Sequence, residues 1–69
     1  MRWWDLRAGD VFASEANHGV WVVLRVEQHA LAHVRWLTTL NLRSARVNRS
    51  AQDGRREVKR VYRGGEEVA

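Results

Sequence analysis

The chain has 69 residues, 45% of them hydrophobic and 29% charged, with four tryptophans, no cysteine and no proline. A chain of this length buries only about 60% of the surface it exposes when unfolded, so it forms one small domain around a single core. The missing cysteines exclude disulfides and zinc–thiolate centres and point to a reducing, intracellular setting in which aromatic mass replaces covalent staples.

Twelve basic residues stand against eight acidic ones, for a net charge of +4, and eleven of the twelve are arginine, with Lys59 alone. The planar guanidinium fork matches phosphate and carboxylate groups, which points to nucleic acid or an acidic protein surface as partner. The abundance of Arg, Ala, Val and Gly, with no isoleucine, has a second reading in the coding bias of a GC-rich genome. The distribution of charge says more than its total. Residues 1–42 are neutral overall, residues 43–63 carry +6, and residues 64–69 carry −2. Six uncompensated charges in so short a stretch predict a basic patch. No apolar run is long enough for a membrane-spanning helix. The opening Met1-Arg2-Trp3-Trp4, broken by Asp5 and Arg7, lacks the apolar core of a signal peptide, and the expected compartment is the cytoplasm.

In chain order, Gly9-Asp10 predicts a turn entering a short strand at Val11-Phe12-Ala13, because glycine supplies a backbone angle that other residues avoid. The clearest element is Val20–Glu27, rich in β-branched and aromatic residues. Strict alternation puts Val20, Val22, Leu24 and Val26 on its core face and Trp21, Val23, Arg25 and Glu27 outside. A tight connection at Gln28-His29-Ala30 leads to a second strand over Leu31–Thr38, with Ala32, Val34 and Trp36 inward, and the two strands form an antiparallel hairpin. Residues 40–47 fit a strand by the Leu40/Leu42 alternation or a polar helix by other spacings, and the strand is the preferred reading. Asp53-Gly54 is a hairpin-turn dipeptide, predicted to fold residues 44–51 against 55–63. Within 55–63, Val58, Val61 and Tyr62 also satisfy helical spacing, which leaves room for a single helical turn.

Short strands at regular intervals with tight turns predict an all-β domain, a small five-stranded barrel over residues 1–63 followed by a frayed acidic tail, 64–69. The order Gly9-Asp10-Val11, His18-Gly19, a long apolar strand, a hairpin and a basic last strand resembles the SH3-like small barrels of the Tudor and KOW type. The Gly9-Asp10 and His18-Gly19 pair is also similar to the opening of CarD-type RNA-polymerase-interacting domains, over residues 9–26 only, and the helical DNA-binding domain that follows in that family has no counterpart here. The resemblance implies a fold more than a function.

Glu15 with His18, and Glu27 with His29 and His33, are the only metal-like groupings, and neither supplies the three or four convergent ligands that zinc requires. No nucleophile elbow or glycine-rich phosphate loop occurs, and the carboxylates are scattered singly, so no enzyme activity and no cofactor are expected. The candidate nucleic-acid contacts are Arg43, Arg46, Arg49, Arg55, Arg56, Lys59, Arg60 and Arg63, with Tyr62 and Trp21 as stacking rings. Asn41, Asn48 and Gln52 are the nearby amides, too few for sequence-specific reading. Trp21, left outside by alternation, either stands exposed beside Arg25 as a partner anchor or is covered by the Trp3-Trp4 segment. In the first case Trp3, Trp4, Trp21 and Arg25 form a protein-docking or homodimer surface. The leading expectation is a non-enzymatic module that engages the nucleic-acid backbone through 43–63. The alternative is a bacteriophage or mobile-element accessory protein that docks on a larger host assembly such as RNA polymerase, or that self-associates.

Overall fold

The computed structural model describes residues 1–14 and 19–69. The fold is all-β, as the sequence predicts. A 3-10 turn at Trp3–Asp5 precedes β1 (Val11–Ser14), β2 (Gly19–Gln28), β3 (Val34–Asn41), β4 (Val47–Asp53), β5 (Val61–Arg63) and β6 (Glu66–Glu67). These make one antiparallel sheet in the order β4-β3-β2-β1-β5-β6. The helical turn therefore sits at the amino terminus rather than near the carboxyl-terminal strand, and six strands replace the expected five. The sixth arises because Gly64 and Gly65 both take positive φ (60° and 85°), the backbone of a tight hairpin turn, and return 66–67 beside β5. The 64–69 segment is thus part of the sheet, and Ala69 packs against the core.

The β2–β3 hairpin forms as expected, and Val26 faces the core as expected, but β3 and the first half of β2 turn the opposite face inward. Val23, Leu37 and Val61 are fully buried and Leu6, Phe12 and Val58 nearly so, while Leu24 is 45% exposed. The inward parity changes within β2 at a register shift between Val23 and Arg25: Val23 pairs with Thr39 and Arg25 with Thr38, so Leu24 is an extra residue. Such a bulge changes which parity of the strand faces inward. Before it, Trp21 and Val23 face the core; after it, Val26 does, opposite Leu37. On β3 the inward residues are Leu37 and Thr39, so Trp36 lies on the outer face and not in the core. Fully burying a large apolar side chain contributes about 1.5–3 kcal/mol.

Residues 42–46 form neither helix nor strand. They are a hairpin turn organised by Asn41, whose side-chain oxygen accepts the N–H groups of Arg43 (2.9 Å) and Ser44 (3.1 Å). The Asp53-Gly54 turn does not fold 55–63 against β4. Gly54 donates its N–H to the His33 carbonyl (2.7 Å), and its Cα lies so close to Trp4 that a Cβ there would stand 2.7 Å from the ring. The chain then crosses over beside the amino terminus. Trp3 donates to the Arg56 carbonyl (3.0 Å), Val58 to the Met1 carbonyl (2.8 Å), and Arg2 bridges Glu57. Arg60, at φ 55°, redirects the backbone so that β5 pairs with the free edge of β1. Val58 and Val61 both end in the core and Tyr62 outside it.

At the Gly9-Asp10 turn the expectation holds: Gly9 has φ 94°, in the left-handed region that favours glycine. The turn delivers Asp10, only 2% exposed, to the floor of the fold.

Candidate binding groove

The inner face of the sheet and the crossover segment enclose a groove of about 610 Å³. One side is aromatic. Phe12 stacks on Trp21 with ring centres 5.6 Å apart and planes at 18°, and Trp3 meets Phe12 edge-on at 5.2 Å and 86°. Trp21 fits because its neighbour is Gly19, where a Cβ would lie 2.5 Å from the indole. The other side is polar. Asn48, Ser50 and Gln52 alternate along β4 and line the groove with Thr39 of β3. Gln52 donates its side-chain amide to the Ser50 hydroxyl at 3.3 Å. Glu57, Lys59 and Arg60, from the crossover, line its remaining edge.

The basic residues predicted to act together are divided by the fold. Lys59 and Arg60 reach the groove, and Arg56 lies exposed in the same crossover. Arg43 and Arg46 belong to the β3–β4 turn. Arg55 is clasped to Asp53 by two side-chain hydrogen bonds of 3.0 and 2.9 Å, which hold the Asp53 carboxyl well below its ordinary range and push the Arg55 guanidinium up. Arg63 is half-buried, donating to both carboxylate oxygens of Asp10 (2.9 and 2.8 Å) and to the Asp5 carbonyl (3.2 Å). Arg63 lowers the Asp10 carboxyl from its ordinary value, against the opposing effect of burial, and the Arg7 N–H adds to the lowering. Asp10 is thus a structural anchor, and Arg63 serves it.

Arg49 lies on the outer face, 4.1 Å above the Trp36 ring and 3.9 Å from Glu27, and His29 packs on the same indole at 4.9 Å. Arg25 shares that face, opposite Thr38. Beside this polar cluster runs an apolar row. Tyr62, Val11, Val22, Leu40 and Val47 are successive cross-strand partners over five strands, and Val47 is 62% exposed.

The expected aromatic patch is likewise split. Trp3 and Trp21 line the groove, packed through Phe12, and Trp21 is not an outward anchor beside Arg25. Trp4 packs on Gly54 with Arg2 over its ring at 5.8 Å. Sequence reasoning singles out neither Phe12 nor Ser50. The signal for Ser50 is the alternation Asn48, Ser50, Gln52 against Val47, Arg49, Ala51, which places short polar groups on one face of a strand. Among the described residues no three His, Cys, Asp or Glu side chains converge as a metal site; Glu15 and His18 lie outside those residues. No helix of the described residues is long and apolar enough to cross a membrane. No protein-family model, curated protein or solved structure matches the chain.

Proposed function

We propose that the protein is a non-enzymatic module that binds nucleic acid through its phosphate backbone with little sequence specificity. The observation that carries this reading is the placement of the crossover, which brings Arg56 into the open and Lys59 and Arg60 to the edge of the groove. The contact region is narrower than the whole 43–63 segment, since Arg55 and Arg63 hold carboxylates of their own and Arg49 stacks on the opposite face. The strand order, with β5 returning beside β1, supports the resemblance to SH3-like small barrels.

The test is fluorescence anisotropy with labelled DNA and RNA at about 50 and about 200 mM salt, between which a phosphate-dominated affinity falls steeply. Reversing Arg56, Lys59 and Arg60 weakens binding far more than reversing Arg2 and Arg7. An absence of binding at low salt overturns the reading.

A second reading, docking on a protein partner, is favoured by the outer apolar row and by Trp36. Pull-down with Leu40→Asp protein separates the two: that substitution abolishes capture of a protein partner and leaves nucleic-acid affinity intact.

A further inference from the structure

We propose that the groove accepts an unpaired nucleobase, so that the protein prefers single-stranded nucleic acid to duplex. The inference rests on the nucleic-acid reading above and assigns a ligand to the groove itself. Three features of one cavity point to it. Trp3 and Trp21 line it with aromatic surface, and both rings are held in place by Phe12, on which Trp21 stacks one face. Asn48 and Gln52 each present a donor and an acceptor, the pairing that base edges also carry. Lys59 and Arg60, against the single carboxylate of Glu57, leave net positive charge at the edge, where the phosphates attached to an inserted base would pass.

The volume, about 610 Å³, lies within the range of small-molecule sites and admits a base with its sugar. In a duplex the bases are stacked and paired, and neither the flat face nor the Watson–Crick edge can reach such a site without extrusion. An apolar peptide side chain would use the aromatic side but would make no hydrogen bond to Asn48 or to the amide groups of Gln52 that its bond to Ser50 leaves over. A planar heterocycle with a mixed edge uses both sides. Because the amides number few and Ser50 serves either role, the groove reads the presence of a base more than its identity.

The experiment compares three labelled probes at low salt: a thymidine oligonucleotide about twelve nucleotides long, a size suited to small single-strand binders, the duplex of the same length, and an abasic strand of the same length with the same phosphates. The single strand binds at least roughly tenfold more tightly than either of the others, as one stacked base is sufficient to give. The double substitution Asn48→Ala and Gln52→Ala removes most of that preference while leaving the weaker duplex affinity unchanged. These positions are surface-accessible, so the variant does not depend on the folding of a tryptophan mutant. Equal affinity for all three probes overturns the groove assignment and leaves the backbone reading standing. A preference that survives the double substitution also overturns it. Failure of every probe to bind overturns both.

Discussion

Arg63 grips Asp10 through two hydrogen bonds, at 2.9 and 2.8 Å, across 53 positions of the chain. The Asp10 carboxylate also accepts the Arg7 N–H at 2.9 Å, so one buried group ties the entrance of β1 to β5. In a chain without cysteine, this clasp supplies a long-range connection between distant parts of the sequence. Replacing Asp10 by Asn keeps the shape but weakens the charge-assisted bonds. A loss of about 2 kcal/mol is expected, which lowers Tm by roughly 10 °C in a domain of this size, as measured by thermal circular dichroism. Arg63→Lys does not restore stability fully, because an ammonium cannot reproduce the planar two-point contact.

The same pair sets the acid limb of stability. The native Asp10 carboxyl is lowered relative to the unfolded chain, so the folded state releases its proton more readily. Stability from the pair is therefore complete above about pH 5 and is lost as pH falls through the ordinary carboxylate range toward the lowered native value. Asp53, held low by Arg55, acts in the same direction. Urea midpoints measured from pH 7 to pH 3 fall in the wild type below pH about 5, and the fall is shallower in Asp10→Asn protein.

The bulge at Leu24 predicts an unusual tolerance. Deleting Leu24 brings Val23 and Arg25 into continuous register with Thr39 and Thr38 and leaves Trp21, Val23 and Val26 facing inward. The deletion protein folds, with a Tm within about 8 °C of the parent, equivalent to roughly 1 kcal/mol. Deleting Val22 instead inverts the first half of β2 and abolishes cooperative unfolding, since a one-residue slip sends every side chain to the wrong face.

Arg49 and Trp36 interact on the outer face, remote from the groove. A double-mutant cycle on Arg49→Ala and Trp36→Ala yields a coupling energy of about 0.5–1 kcal/mol, typical of an exposed cation–π contact. Neither substitution alters the single-strand preference, and a loss of that preference in Trp36→Ala protein would place the binding surface on the other side of the sheet.

The all-β class, the β2–β3 hairpin and the Gly9 turn were legible because each depends on local chemistry: β-branched runs, short connections and a glycine with positive φ. The inward faces were not. Val20, Val22, Leu24 and Val26 alternate perfectly in sequence, but Leu24 is an extra residue that leaves no local mark, so Trp21 and Val23 face inward before it and Val26 after it. The groove was hidden for a related reason. Asp53-Gly54 is a strong hairpin dipeptide, but tertiary bonds from Gly54 to His33 and from Trp3 to Arg56 divert the chain across the fold. That diversion separates Arg63 from Arg60 and brings Lys59 and Arg60 opposite Asn48 and Gln52, which lie on a different strand.

The row formed by Tyr62, Val11, Val22, Leu40 and Val47 gives the sheet a back unlike its front. Added electrolyte weakens contacts between a basic groove edge and phosphate. Sulfate and similar salts strengthen the tendency of apolar surface to leave water. On the proposed reading, the front of the sheet releases nucleic acid as ionic strength rises while the back becomes more adhesive, so that the two faces answer salt in opposite directions.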